Sequence, residues 1–598
     1  MRGKELILIR KINANIIVWL VPFVFGLWSL ILGQDRNFDL AGYHLYNGFS
    51  FLNNKFDLDF AVSGIQTYFN PLLDAAYFSL NTYLNPKLVG LMIGLFHGLI
   101  FVLIFKITSI FLIKNEKINF FKSPHLKILL VSIAGCLTPN FLSSLGNSMG
   151  DNTTAVLNLF SLFLILKNFD SNNSSNYKIL AFFTAGLIIG CSVGLKLTNA
   201  PYALSMAFSL FFYPEKFPKR IVSFLLFSLS VLCGIFLTGG FWFIKMWEHF
   251  NNPFFPLFSN FFHNNFSNIS TLTNAWTPKD FFSIIFFPFF KLFNYNTAND
   301  SLAREILWPI IYVLLILKAT SMIKNKLHIN FSFKLSKENF LICFIVFSYI
   351  LWMFIFGLQR YLVTIEVLTP LAFLILIKSF NFKLKEKFFR SVIILSIIIS
   401  LFGGFGTFGH TRWVNPAFYA EIPLELRELK ESLVLMSDNS PISWLVTLFP
   451  KDLSFFRLNT FSDEQLILDS YLSGKKHFYV IFSGIYNWRI DNVKKWDHAL
   501  SLINLKSSLS KCHSLDLFIK KIKFRGKIKF FQKNQEMCYL DIMDKDYVDS
   551  RAVNDEVIKL NQISLQKYNL NLDTHSCKNY SARLGTQNWN YIWCKATK

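Results

Sequence analysis

The feature that most constrains this chain is a series of long apolar runs separated by short, lysine-rich loops. They fall at about 13–33, 88–113, 127–146, 153–168, 178–195, 199–213, 221–246, 304–322, 338–357, 361–379 and 390–408. Runs of this length match the thickness of a bilayer core, where a backbone must satisfy its own hydrogen bonds and therefore coils into helices. The expectation is a mostly α, polytopic helical bundle of about eleven spans. Residues 281–293 form an apolar run too short to cross and broken by Pro288, and they read as an interfacial helix, as do Leu72 to Leu84. The first run, Ile16 to Leu32, lacks a convincing small-x-small cleavage site and reads as a retained span.

The basic residues orient the bundle. Arg2, Lys4, Arg10 and Lys11, then Lys114, Lys117, Lys122 and Lys127, then Lys216, Lys219 and Arg220, then Lys318, Lys324, Lys326, Lys334 and Lys337, then Lys383, Lys385, Lys387 and Arg390 all fall on one side of an eleven-span arrangement. Positive charge marks the cytoplasmic side. The N-terminus is thus expected inside and the C-terminus outside. The formal charge of +23 is spent on orientation and implies no nucleic-acid partner. The outer side receives a first loop at 34–87, a large loop at 247–303 and everything after 408. From 409 to 598 charges become frequent and apolar runs shorten. LVLMS (433–437) and HFYVIFS (477–483) read as buried strands, so this part is expected to be an extracytoplasmic α/β domain. It holds Cys512, Cys538, Cys577 and Cys594. Three pairings are open to an even set in an oxidising compartment, and Cys512–Cys538 with Cys577–Cys594 closes the shortest loops. Cys136, Cys191, Cys233 and Cys343 lie inside apolar runs and read as packing residues.

Polar residues suited to chemistry concentrate on the expected outer face. The first loop holds Asp35, Asp39, Tyr43, His44, Gln66, Asn70 and Asp74. If Asp35 to Tyr46 is helical, Asp35, Asp39 and Tyr43 are four apart and share a face, and a carboxylate beside an apolar wall is a general base with a tunable pKa. The plain alternative is a solvated loop whose acids cap helices. Asp151 ends the turn SLGNSMGDN, Lys196 follows in GLKLTNAPY, Arg304 and Glu305 open a later run, and Arg360 sits in FGLQRYLVTIEVL with Glu366 a turn and a half deeper. Each cation alone fits snorkelling to headgroups. Lys196 and Arg360 together, in turns with no other basic residue, suit an anionic ligand. Glu366 reads as a structural partner of an arginine. His44 suits a metal or a sugar hydroxyl, and His249 and His263 lie in the large loop, but no HxH or HExxH spacing supports a dedicated metal site. Phosphate-binding GxxxxGK[ST], dinucleotide-binding GxGxxG and hydrolase GxSxG motifs are absent from the sequence.

The order of parts, a first span, an acidic outer loop, many further spans and an outer α/β domain, resembles the GT-C superfamily of membrane glycosyltransferases. The string DLAGYHLYNGFSFLNNKFDLDF (39–60) is similar to the D-L-x-x-Y…G…L…G…Y pattern of family 87 and 39-like members, and GLKLTNAPY, NPFFPLFSN and RYLVTIE resemble uncharacterised bacterial members. The resemblance implies transfer of a sugar, with inversion, from a polyprenyl-phosphate donor to an envelope glycan, lipid or protein acceptor at the outer face of the bacterial cytoplasmic membrane. It implies Asp39 as general base, with Asp35 as the second choice. Tyr43, His44, Gln66, Asn70, Asp151, Lys196, Arg304 and Arg360 are then the candidate substrate-binding residues, the last three basic ones by location. The acids here are four apart, where the superfamily often has an adjacent pair. No cofactor is called for, with a divalent metal as the alternative. Two other classes stay open: a transporter or flippase of an envelope lipid or polysaccharide, and a non-catalytic envelope assembly protein.

Overall fold

The computed structural model describes residues 18–113, 123–169, 175–262, 276–293, 302–326, 335–380, 384–426, 429–461, 464–484, 488–521, 524–531, 537–547 and 550–598. His263 and the basic residues 2–11, 114, 117, 122, 334 and 383 lie outside them. The chain divides into two compact units. One comprises 1–55 and 65–415, the other 56–64 and 416–598.

The first unit is helical. Its elements are α1 (Val18–Leu32), α2 (Leu45–Leu52), α3 (Leu72–Tyr83), α4 (Pro86–Leu112), α5 (Ser123–Cys136), α6 (Asp151–Lys167), α7 (Ser175–Leu195), α8 (Ala200–Ser209), α9 (Phe217–Phe250), α10 (Phe281–Phe293), α11 (Leu307–Lys326), α12 (Lys337–Ile355), α13 (Thr369–Lys378) and α14 (Lys385–Ile399). Among the described residues five stretches are long and apolar enough to cross a membrane: Pro86–Leu112, Tyr177–Leu195, Phe217–Phe250, Lys337–Ile355 and Lys385–Gly404. A sixth arises if Gln359–Glu366 and Thr369–Lys378, bent by 52°, count as one broken span. Other runs expected as spans form shorter apolar helices, Val18–Leu32, Pro124–Cys136 and Leu307–Ser321. The run at 153–168 falls in α6, which buries Asn152, Thr154, Asn158 and Ser161 and spends them on hydrogen bonds between helices. Asn158, for example, donates to Asn199 (2.8 Å) and Thr364 (3.0 Å).

Helix packing follows from small residues. A Cβ on Gly190 of α7 would stand 2.2 Å from the Val231 carbonyl of α9, and Gly186 and Gly194 meet the same helix equally closely. Three glycines at four-residue spacing let two backbones touch where lipid gives no hydrophobic drive for association. The far side of α9 presents Leu225, Leu229, Leu232 and Phe236, all exposed, as an apolar stripe.

Two short strands close the loop that follows α1 in the first unit. β1 (Gln34–Asp35) pairs antiparallel with β2 (His410–Thr411), 375 positions on, with Asp35 opposite His410. This corrects the helical reading of 35–46, because Asp35 is extended and the helix begins after Asn37.

The second unit is α/β. A five-stranded sheet runs in the order β4-β3-β5-β7-β6, formed by β3 (Ser432–Met436), β4 (Ser454–Arg457), β5 (His477–Ser483), β6 (Asn571–Tyr580) and β7 (Tyr591–Thr597). β3 is parallel to β4 and β5, and β7 is antiparallel to β5 and β6. All five residues of β3 are buried, as a central parallel strand requires. Residues 56–64, expected as part of the first outer loop, add to the β4 edge. Phe60 donates its N–H to the Phe455 carbonyl (2.8 Å) and accepts from the Arg457 N–H (3.0 Å), and the Asp59 carboxylate takes the Phe455 N–H. A disulfide Cys512–Cys538 joins the helix Leu509–Lys521 to the strand Cys538–Asp541, and Cys577–Cys594 joins β6 to β7.

Candidate functional site

The site is built at the start of α2. The Asn37 side-chain amide donates to both Asp35 oxygens (2.8 and 2.9 Å), and its Oδ1 accepts the Leu40 N–H at 2.7 Å. It thereby caps a helix whose first turns, Leu40–His44, are π-helical. Tyr43 and His44, neighbours in sequence, lie side by side with ring centroids 4.0 Å apart, and both are buried. The Tyr43 hydroxyl donates back to Asp39 Oδ2 at 3.2 Å, the contact that four-residue helical spacing provides.

Asp39 Oδ2 also receives Arg360 Nη1 at 2.9 Å. Arg360 stands on a 3-10 turn, Gln359–Leu362, between α12 and α13. Next to it Tyr361 offers its ring to two cations. The Arg360 guanidinium lies 5.3 Å and the Lys196 ammonium 5.2 Å from its centroid. Lys196, just past α7, donates to Asp151 Oδ1 at 2.5 Å and to the Met149 carbonyl at 2.8 Å. Gly150, with φ +80°, supplies the left-handed turn that starts α6 at Asp151. Asp39, Tyr43, Asp151, Lys196 and Arg360 therefore belong to one network drawn from four separate stretches of the first unit.

His44 completes it. Its Nδ1 is 2.6 Å from Asp74 Oδ1 on α3, and both side chains are buried. The close approach of α2 to α3 depends on Gly48, where a Cβ would meet the Asp74 carbonyl at 2.3 Å. Burial pushes the Asp39 carboxyl up, but Arg360, His44 and Lys196 outweigh it and hold Asp39 below the usual carboxylate range. For Asp74 burial prevails over His44 and Lys196, and its proton affinity is raised. Burial and the Asp39 charge lift the Tyr43 phenol well above its ordinary value.

Other candidates fall elsewhere. Asp35 accepts the Asn37 and Ser148 N–H groups at 3.0 and 2.8 Å, tying the loop to the 147–150 turn. Asn70 donates to the Gly194 and Thr238 carbonyls at 2.7 and 2.9 Å, and so anchors the loop to α7 and α9. Gln66 offers its backbone carbonyl to Asn47. Arg304 is exposed, its N–H on the Gly404 carbonyl, whereas the Asp39 network is largely buried. Glu366 is fully buried and accepts the Asn140 N–H at 3.0 Å. His249 is on the exposed end of α9. Among the described residues no group of three or more His, Cys, Asp or Glu side chains is placed to hold a metal ion. Asp74, Met149 and Tyr361 were not singled out from the sequence as binding residues. The first had a signal in its position on the first acidic loop, while the others follow only from how the turns meet.

No family model matches the sequence, and no curated protein matches it. Among solved structures the chain is similar to ArnT from Cupriavidus metallidurans bound to undecaprenyl phosphate, with a TM-score of 0.40 and 10% identity over 90% of this chain and 98% of that one. It is also similar to the Archaeoglobus fulgidus oligosaccharyltransferase in complex with Zn and sulfate, with a TM-score of 0.43 and 12% identity over 78% of this chain and 68% of that one.

Proposed function

We propose that this protein transfers a sugar from a polyprenyl-phosphate donor to an envelope glycan, lipid or protein acceptor at the outer face of the bacterial cytoplasmic membrane. The supporting observation is the buried pairing of the first-loop acid Asp39 with Arg360 from a distant turn, and the sharing of the Tyr361 ring by Arg360 and Lys196. Arginine and lysine converging on one spot suit the phosphate of such a donor and the phosphate monoester that leaves it. In this reading the bundle, 1–408, crosses the membrane about eleven times with the N-terminus inside, and 409–598 lies outside.

Asp39 begins as the counter-ion of Arg360 and is a weak base in that state. An arriving phosphate competes for Arg360 and Lys196. As Arg360 turns to the phosphate, Asp39 loses its stabilising partner and gains proton affinity. The acceptor hydroxyl then gives its proton to Asp39 while its oxygen bonds the anomeric carbon. The bond from that carbon to the phosphate oxygen breaks, and polyprenyl phosphate departs with the electron pair, held by the two cations. A single displacement inverts the anomeric centre.

Transfer from radiolabelled polyprenyl-phosphate hexoses, assayed in proteoliposomes, tests the proposal. Asp39→Asn is expected to lower transfer by about 10²- to 10⁴-fold with unchanged folding. Activity within about threefold of wild type would remove Asp39 as base. The 52° bend before α13 is the kind of broken helix that transporters use. Movement of labelled lipid across the bilayer with no new glycosidic bond would decide for that second reading.

A further inference from the structure

The Asp39–Arg360 pair leaves the neighbouring pair, His44–Asp74, without a task. A carboxylate 2.6 Å from an imidazole nitrogen fixes the ring and its tautomer. With Nδ1 donating its proton to Asp74, the lone pair is left on Nε2. That atom is buried and has no hydrogen-bond partner, in a side chain only 8% exposed. Buried polar atoms are nearly always paired, so an orphan at a fixed nitrogen calls for a ligand. A second orphan lies in the same network: Asp151 Oδ2 is buried and unpartnered, while its Oδ1 holds Lys196. Lys196 in turn acts on the carboxylates of both Asp39 and Asp74.

In the neutral imidazole that carries its proton on Nδ1, both orphans are acceptors. An acceptor repels phosphate oxygens, which carry lone pairs and negative charge, and attracts O–H groups. The network is therefore two-sided, with donors and positive charge at Arg360 and Lys196 and bare acceptors at His44 and Asp151. Such a division matches one kind of molecule, a phosphate joined to a polyol.

We propose that His44, set by Asp74, binds a hydroxyl of the donor sugar through Nε2 and so distinguishes a sugar-bearing lipid phosphate from the bare one. This rests on the glycosyl-transfer reading and adds to it a positioning residue that selects the loaded donor over the spent carrier. An enzyme whose product is the bare carrier needs that distinction, because cations alone hold the bare phosphate monoester, with its greater charge, at least as tightly as the diester of the loaded donor.

The test is equilibrium binding of tritiated undecaprenyl phosphate and of undecaprenyl-phosphate glucose, galactose and mannose to the purified full-length chain in detergent. Wild type is expected to bind at least one hexosyl lipid about tenfold more tightly than the bare lipid, the discrimination one buried hydrogen bond supplies. His44→Asn keeps an amide near the Nδ1 position for Asp74 and places nothing at Nε2. It should bring the two lipids within about twofold by weakening only the hexosyl one. His44→Gln reaches the Nε2 position and should recover part of the difference. Asp74→Asn, which supports either tautomer, should fall between. Wild type with no preference among the lipids, or His44→Asn with the wild-type preference, overturns the proposal. Arg360→Ala separates the two levels, because it should weaken both lipids alike. If it weakens neither, the glycosyl-transfer reading fails and this proposal fails with it.

Discussion

Two arginines, Arg457 buried and Arg360 largely so, hold neighbouring parts of the 34–87 stretch, and they do so in opposite ways. In the second unit Arg457 is surrounded by backbone. Its Nε donates to the Val62 carbonyl at 2.7 Å and its Nη1 to the Asp438 carbonyl at 2.7 Å, with Ser443 Oγ 3.3 Å from Nη2. Burial lowers its pKa to about 10, and Asp438 opposes the shift. In the first unit Arg360 meets a carboxylate, two aromatic rings and a methionine sulfur. Carbonyls cannot leave a structure without unfolding it, so Arg457 is a fixture. A carboxylate and the faces of rings can be exchanged for a phosphate, so Arg360 can change partners. Burial alone does not mark a functional arginine, but burial against replaceable partners does.

The sharpest way to break this contrast is to remove the Arg360 charge. Arg360→Met is expected to cost about 10²- to 10³-fold in kcat/KM for sugar transfer, the usual worth of a group that meets charge developing in the transition state. Arg360→Lys, which keeps the charge and loses the fork, should cost about tenfold. The pH profile carries a second signature. Asp39 is held low, so in wild type it is ionised at every pH above its ordinary value of about 3.9. Its ion pair contributes stability that is full above that value and is lost as pH falls through the lower folded pKa. With Arg360 removed, burial of Asp39 is less opposed and its pKa rises. The acid limb of kcat/KM should then move to higher pH. A limb that stays in place would show that Arg360 does not set Asp39.

Arg457→Met should act in the other direction. It leaves buried carbonyls at Val62 and Asp438 without a donor, at about 1–3 kcal/mol for each such group. An overall loss near 3 kcal/mol is expected in the second unit. Amide exchange of β3 and β5 reads it directly, and Arg360→Met should leave the same amides as protected as in wild type. Equal loss of protection in both variants would erase the distinction between fixture and exchangeable partner.

The contrast also explains what could be read from the sequence. Apolar runs disclose a helical membrane unit because the bilayer imposes length and composition together, and the buried runs LVLMS and HFYVIFS disclose the sheet in the same way. The Asp39–Tyr43 contact is local and follows from a four-residue repeat. Three features escape such reasoning because their partners are remote. Residues 56–64 find their ladder partners at 455–457, Arg457 and Val62 being 395 positions apart. Asp35 is drawn out of the expected helix by His410, opposite it in the β1–β2 pair. The number of long spans is blurred because buried Asn, Ser and Thr side chains serve packing between helices and lower the apolar signal, as in α6.

Asp35 supplies the smallest expected effect and a test of the comparison at its closest range. It and Asp39 are both buried acids four residues apart. Asp35 is bound by the backbone N–H groups of Asn37 and Ser148 and by the Asn37 amide, partners as fixed as those of Arg457. Asp39 is bound by Arg360 and Tyr43 side chains. In Asp35→Asn one oxygen still accepts an N–H and the new amide group replaces one acceptor, so a loss of about 1 kcal/mol in stability is expected. Transfer should stay within about threefold of wild type. The identical change at Asp39 should abolish it. If Asp35→Asn instead folds as wild type and is inactive, the base is Asp35, and Asp39 is the acid that serves as scaffold.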